Sequence, residues 1–165
     1  MEPRIELLEE KKLVGKQVRM SVFANKTGEL WQGFMRRRKE IQNNLNSDFI
    51  SMQVNDSSFD FMNFDIKAEF DKWATVEVSD FNSIPEGMES FVLPAGLYAV
   101  FLHKGDASPA TAAKVFGYIY GTWIPNSIYD LDQRPHFEVL GEKYKNNDPE
   151  SEEEIWIPVK QKHKN

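Results

Sequence analysis

Residues 134–142, RPHFEVLGE, place one carboxylate, Glu138, among apolar residues in the alternating pattern of a β-strand. A second stretch, residues 154–159 with the sequence EIWIPV, is also typical of a strand and carries the bulky indole of Trp156. Burial of an isolated charge is costly, so Glu138 must be paired, protonated or solvated through a cavity. An acid beside aromatic surface is what a site for flat or cationic organic molecules requires. The alternative is a rim carboxylate that water solvates.

The composition indicates one soluble domain. The 165 residues fit a single domain over 1–165, and the aromatic content of 13% suffices for both a core and an aromatic-lined cavity. The net charge of −6 argues against direct nucleic-acid or anionic-membrane binding. The chain has no cysteine, no leader-like start and no long apolar stretch, so we expect a cytoplasmic protein. We expect no cofactor and no metal, because the three histidines lack metal-ligand spacing.

The first half of the chain favours strand, helix and two further strands. Residues 5–23 alternate charged and apolar side chains, with Gly15 as a kink between two extended pieces. Apolar residues then recur at helical spacing from Leu30 to Leu45, where a run of asparagines ends the helix. Strands are predicted near 49–54 and 68–79, joined by the polar and aromatic segment 55–67.

The second half repeats this order. A strand over 91–104 is interrupted at Pro94-Ala95-Gly96, and a second amphipathic helix over 112–123 ends at Pro125. Strands follow near 136–144 and 153–160. The β–α–β–β order therefore occurs twice, over about 5–80 and 90–160. It predicts an α+β fold with one large antiparallel sheet, two helices on one face and a central pocket between them.

Fragments over most of the chain resemble the GyrI-like effector-binding family, which includes the ligand domains of AraC-type and MerR-type multidrug regulators. Their shared order carries the resemblance: LWQGF at 30–34, WATVEV at 73–78, IPEGM at 84–88, LPAGLYAVF at 93–101, HKG at 103–105, PHFE at 135–138 and IWIPV at 155–159. The resemblance implies a tandem sheet with an apolar pocket for cationic, amphipathic or aromatic compounds. Because Met1 and Asn165 closely flank the predicted strands, we expect a member without a DNA-binding domain.

The resemblance also implies an acidic residue at the pocket floor, which falls on Glu138. Leu140 occupies a position that is often aromatic in the family, and Trp156 one that is aromatic in the final strand. Ile50 and Met52 hold the first-half positions that match Glu138 and Leu140. The candidate ligand-binding residues are therefore Glu138, Leu140, Trp156, Tyr98, Phe116, Tyr120, Trp123, Trp31, Phe34, Ile50 and Met52. For the aromatic members the alternative is a purely structural role at a sheet–helix interface.

Two charged runs have simpler interpretations. The basic run 36–39 is read as a solvated helix face, because the chain is acidic overall. The acidic run 150–154 is read as a solvated turn, with Glu154 as a second candidate acid because it shares the strand phase of Trp156.

Three functions remain open. The first is capture of a hydrophobic, cationic or aromatic small molecule, for sensing or sequestration. The second is hydrolysis of an electrophilic compound, with Glu138 as general base or nucleophile and Tyr98, Tyr118 or Tyr120 as its partner. The third is a protein-interaction module such as a gyrase modulator, with a protein partner or a homodimer.

Overall fold

The computed structural model describes residues 1–56, 65–106, 108–145 and 148–163, so most of the predicted segment 55–67 lies outside the described residues. Within these ranges the strands are β1 Arg4–Leu8, β2 Lys11–Met20, β3 Phe49–Val54, β4 Phe70–Val78, β5 Glu89–Leu93, β6 Gly96–Lys104, β7 Tyr129–Leu131, β8 His136–Leu140 and β9 Glu152–Gln161. The main helices are α1 Thr27–Arg37 and α2 Pro109–Tyr118. Helix α2 continues as a π-helical turn, Ile119–Trp123, and one last helical turn, Ile124–Asn126.

Helix α1 is shorter than the periodicity predicts. It passes into a 3₁₀ turn at Arg38–Glu40, and Ile41 is already extended, so the predicted continuation to Leu45 is wrong. The backbone of Leu45 instead donates a hydrogen bond to the carbonyl of Glu77, at 2.9 Å, and its side chain is exposed. The chain leaves the helix because this segment runs beside the end of β4, which satisfies its backbone groups.

The strands form one sheet in the order β1-β6-β9-β8-β3-β4-β2-β5, with β7 beside β9. Every pairing is antiparallel. The order is symmetric about the β8–β3 pair when β6, β9 and β8 are matched with β2, β4 and β3. The two edge strands are exchanged, since β1 lies beside β6 and β5 lies beside β2.

Both helices lie on the same face of this sheet, as predicted. Ile155, Glu138, Ser51 and Ala74 are successive register partners across β9, β8, β3 and β4, so their side chains share one face. Ala74 packs in one buried cluster with residues of α1, and Ile155 packs in another with residues of α2. Each helix therefore covers one side of the sheet, and Glu138 and Ser51 lie between them. The α+β prediction is confirmed.

The second face of the sheet has a core of its own. Its buried members are Leu8, Leu13, Ile50, Met52, Trp73, Leu93, Tyr98, Val100, Phe137 and Trp156. These residues come from edge and central strands alike and pack in one cluster, so the sheet curves around this face. Burial of such side chains stabilises the fold by roughly 1.5–3 kcal/mol each.

The predicted kink at Gly15 is also displaced. The chain breaks between β1 and β2 at Glu9 and Glu10, whereas Gly15 lies inside β2 opposite Thr75. A Cβ atom at Gly15 would lie 1.9 Å from the carbonyl oxygen of Ala74. The glycine therefore permits close approach of two backbones rather than a turn.

No helix in the described part of the chain is long and apolar enough to cross a membrane.

Candidate ligand-binding groove

A groove runs along the sheet between α1 and α2. It consists of two cavities of about 830 and 550 Å³ that share six lining residues and are therefore continuous: Ser51, Lys72, Ala112, Phe116, Glu138 and Ile155. Trp31, Met35 and Phe49 line the side of α1. Cavities of this size suit small organic ligands.

Glu138 lies at the centre of the groove floor. It is the third residue of the five-residue strand β8, which begins after the buried Pro135 and ends before Gly141. Ser51 is its register partner on β3 and Ile155 its partner on β9. The side chain is half-buried and lines both cavities. It therefore faces a cavity between the helices.

A second carboxyl group, that of Glu153, lies beside Glu138. Glu153 is two residues before Ile155 on β9 and therefore faces the same side of the sheet. It is only 8% exposed and lines the larger cavity. Burial, followed by the negative charge and hydrogen bond of Glu138, raises the pKa of Glu153 well above its ordinary value, while Lys72 acts in the opposite direction. Glu153 therefore keeps its proton over part of the neutral range.

Other polar groups line the ends of the groove. His103 is the register partner of Glu153 on β6, and its Nε2 atom lies 3.0 Å from the carbonyl oxygen of Asp106. Tyr144 lines the same cavity, and burial, with the charges of Glu153 and Glu138, raises the pKa of its hydroxyl. Lys72, on β4, lines both cavities. The floor is thus mainly acidic, with one lysine on its α1 side.

Tyr120 and His136 form a half-buried pair at the far end of the groove. The Tyr120 hydroxyl lies 2.6 Å from His136 Nδ1, and both residues line the smaller cavity. Burial lowers the pKa of His136 to about 4. Burial and the charge of Glu138 raise the pKa of Tyr120. At neutral pH both side chains are therefore uncharged, and the tautomer of His136 decides which of them donates the hydrogen bond.

Five of the predicted ligand-binding residues lie together in the groove: Glu138, Leu140, Phe116, Tyr120 and Trp31. Phe34 is fully buried beneath Trp31, with the ring centroids 5.8 Å apart. Trp123 packs edge-on against Phe101 and stacks on Tyr129. Neither Phe34 nor Trp123 lines either cavity.

The structure places four other predicted residues on the second face of the sheet, away from the helices: Trp156, Tyr98, Ile50 and Met52. Trp156 stacks on Phe137 with the ring centroids 5.2 Å apart, and its Nε1 donates to Glu154. The Tyr98 hydroxyl donates to the carbonyl oxygen of Pro135 at 2.8 Å. Glu154 itself is paired with Arg4 at 2.7 Å, so this second candidate acid also lies outside the groove.

The groove includes polar residues that the sequence reasoning did not single out: Ser51, Lys72, His103 and Glu153. Ser51 and Glu153 each lie one position from a predicted residue, and a shift of one residue moves a side chain to the opposite face of a strand. The alternation that places Glu153 in phase with Ile155 and Ile157 is the feature of the sequence that could indicate its position in the groove. It is ambiguous because residues 155–159 are buried on both faces.

Among the described residues, no group of three or more histidine, aspartate or glutamate side chains could hold a metal ion.

The fold agrees with that of similar proteins. The sequence model described as "integron-associated effector binding protein" matches residues 4–159. The transcriptional regulator BrlR of Pseudomonas aeruginosa is 28% identical over 148 residues, which are 89% of this chain and 51% of that protein. The chain thus spans about half the length of this curated relative.

Two solved structures have the same fold. One is the protein SAV2435 bound to tetraphenylphosphonium, with a TM-score of 0.75 at 15% identity, covering 97% of this chain and 94% of the other. The other is the C-terminal domain of EcmrR, with a TM-score of 0.70 at 17% identity, covering 98% of both chains.

The match over residues 4–159 shows that the chain belongs to the integron-associated effector-binding protein family, a GyrI-like group. It is an effector-binding domain of the type found in regulators.

Proposed function

We propose that the chain binds hydrophobic small molecules, cationic or aromatic in character, in the groove between α1 and α2. The observation that carries this proposal is the position of Glu138, a half-buried carboxylate on the floor of a cavity of about 830 Å³. Trp31 and Phe116 line the same cavity from the two helices. A cation inside the groove would meet both the carboxylate and aromatic surface.

The magnitudes indicate a moderate affinity. Burial of roughly 300 Å² of apolar ligand surface at ~25 cal/mol/Å² contributes about 7 kcal/mol. A cation near an aromatic face adds ~0.5–2 kcal/mol. Association and ordering cost several kcal/mol, so dissociation constants near ~1 μM are expected. Such affinity suits an effector that is sensed or sequestered. The tetraphenylphosphonium bound to the related structure supports a lipophilic cation as the first ligand to test.

The test compares a cation with an uncharged molecule of similar shape. Calorimetry would measure binding of tetraphenylphosphonium and of triphenylphosphine oxide to the wild-type chain and to Glu138→Gln. We expect the substitution to weaken cation binding about tenfold, or ~1.4 kcal/mol, and to leave the neutral compound nearly unchanged. Glu154→Gln is the matched control, because Glu154 lies on the second face and pairs with Arg4. Equal losses for both compounds, or binding of neither to the wild type, would contradict the proposal.

A hydrolytic role is the second candidate, favoured by the position of Tyr120. Three tyrosines are candidate partners for Glu138. Tyr98 donates to Pro135 and Tyr118 to Met1, and neither lines the groove, whereas Tyr120 lines it with its hydroxyl 2.6 Å from His136 Nδ1. Incubation with strained electrophiles, followed by mass spectrometry, would test it. Product that forms with the wild type but not with Glu138→Gln would support hydrolysis, and intact compound would leave binding as the function.

A further inference from the structure

The groove holds a buried carboxyl group, that of Glu153, which has no ion-pair partner among the described residues. Glu153 is more than nine-tenths buried, and its side chain lines the larger cavity. Within the described ranges, no lysine, arginine or histidine nitrogen lies within 4.0 Å of its oxygens. Its neighbour on the same face of the sheet is Glu138, the register partner of Ile155, and both carboxyl groups line the same cavity. A buried carboxyl beside another carboxyl favours a ligand that brings positive charge and hydrogen-bond donors.

The surroundings of Glu153 contain few competing groups. From the sheet, Glu138 on β8, His103 on β6 and Lys72 on β4 face the cavity, and Asp106 and Tyr144 line it from loops. The helices contribute uncharged residues to this cavity: Thr27, Gly28, Trp31, Gln32, Met35, Ala112, Val115 and Phe116. A ligand cation would therefore reach the carboxyl pair between apolar walls, with Lys72 as the positive side chain of the same cavity.

The contact between the two carboxyls discriminates among cations. Burial and the neighbouring charge of Glu138 raise the pKa of Glu153, so in the empty groove Glu153 keeps a proton over part of the neutral range. A ligand with N–H groups can take the place of that proton by donating to both carboxylates. A fully substituted cation has no N–H to donate, and its substituents keep its charge further from the oxygens. Planar cations with parallel N–H groups make the strongest contacts of this kind with carboxylates.

We infer that Glu138 and Glu153 together form a subsite for N–H-bearing organic cations, aryl amidines above all, which the groove binds in preference to fully substituted cations of equal size. This inference rests on the proposed function of the groove and specifies its ligand class.

The test uses three matched aryl compounds. Calorimetry would measure binding of 2-naphthamidine, of the 2-naphthyltrimethylammonium ion and of neutral 2-naphthamide to the wild type, Glu153→Gln and the control Glu154→Gln. We expect the wild type and the control to bind the amidine about tenfold more tightly than the quaternary ion. In Glu153→Gln that preference should fall to within about twofold.

A second measurement needs no variant. Repeating the amidine titration at neutral pH in buffers of different ionisation enthalpy counts the protons released. We expect a fraction of one proton to leave Glu153 of the wild type when the amidine binds, and the affinity to rise with pH over the same range. Melting curves of Glu153→Gln would show that the variant is folded.

The outcomes separate the two proposals. Equal binding of amidine and quaternary ion by the wild type, or an unchanged preference in folded Glu153→Gln, would overturn the subsite while leaving cation binding in place. Failure of the wild type to bind either cation would overturn the proposed function itself.

Discussion

Glu138 and Ser51 are register partners at the β8–β3 pair, where the symmetric strand order of the sheet changes from one half to the other. Both side chains face the gap between α1 and α2. The sheet therefore has a carboxylate on one side of its central seam and a small hydroxyl on the other, which leaves space above the floor for a ligand.

Filling that space should block binding. We expect Ser51→Phe to weaken binding of tetraphenylphosphonium more than tenfold, or more than ~1.4 kcal/mol, because the new ring would occupy the cavity beside Glu138. The melting temperature should change little, since the cavity offers room for the ring. Ser51→Ala removes only the hydroxyl and should retain affinity within about threefold. Unchanged binding by Ser51→Phe would place the ligand elsewhere.

Trp31 should report ligand binding by fluorescence. It lines the groove, whereas Trp73 and Trp156 are buried on the second face. We expect a bound cation to change the emission of the wild type, and Trp31→Phe to lose most of this change along with up to ~1 kcal/mol of affinity. Trp156→Phe is the matched control and should keep both the signal and the affinity. Loss of binding in Trp156→Phe would contradict this arrangement and would support the prediction from the sequence that Trp156 contacts the ligand.

How far the sequence predicts this site depends on strand phase. The helical spacing of Leu30 and Phe34 predicts α1, and the alternation around Glu138 predicts β8, because each pattern has one apolar face. The phase of β9 could not be read in this way, since Ile155, Trp156 and Ile157 are all buried, some against α2 and some against Phe137. Ser51 was missed for a similar reason. Its neighbours Ile50 and Met52 are larger and apolar, which suggests that they line the pocket, but they belong to the core on the second face.

Two other features of the fold could not be predicted from the sequence pattern: the end of α1 and the strand β7. The end of α1 depends on backbone pairing of Leu45 with β4, a long-range contact that periodicity cannot show. Strand β7 has only three residues, Tyr129–Leu131, and therefore no period that distinguishes it from a loop.

His136 should make stability depend on pH in the acidic range. Its pKa is about 4 in the folded protein, because of burial, against ~6.5 in an unfolded chain. Between these two pKa values the unfolded chain binds a proton that the folded protein does not bind. The contribution of neutral His136 to the free energy of unfolding is therefore present above about pH 6.5 and lost as the pH falls toward 4. Urea unfolding should show that His136→Gln loses ~2 kcal/mol less than the wild type between pH 7 and 4.5. The exposed His163→Gln control should follow the wild type.

Glu153 should make the folded protein less stable as the pH rises, the opposite of the effect of His136. Its pKa is raised in the folded protein, so its contribution to stability is complete below the unfolded value of ~4.5 and is lost as the pH rises through the folded value. We expect Glu153→Gln to be more stable than the wild type at pH 8, by about 1 kcal/mol, and to match it near pH 4. Chemical denaturation at the two pH values measures this difference. A variant less stable than the wild type at pH 8 would contradict the assigned burial and charge repulsion.

Two glycines should respond oppositely to alanine. Gly15→Ala should destabilise the fold by several kcal/mol, because the methyl group would collide with the Ala74 carbonyl and force β2 and β4 apart. Gly33, inside α1, has nothing within 4 Å of the added methyl, so Gly33→Ala should stabilise by ~0.5–1 kcal/mol. Denaturant midpoints of the two variants would test this contrast, and a tolerated Gly15→Ala would contradict the β2–β4 spacing.

The exchanged edge strands have a consequence for biosynthesis. Strand β1 can pair with its neighbour β6 only after about ninety further residues have been synthesised. Until then β1 has no strand to pair with, and one edge of β2 stays unpaired until β5, from the other half, has been made. Closure of the sheet is therefore a late event that requires both halves, and an isolated half would expose strand edges open to association with other chains.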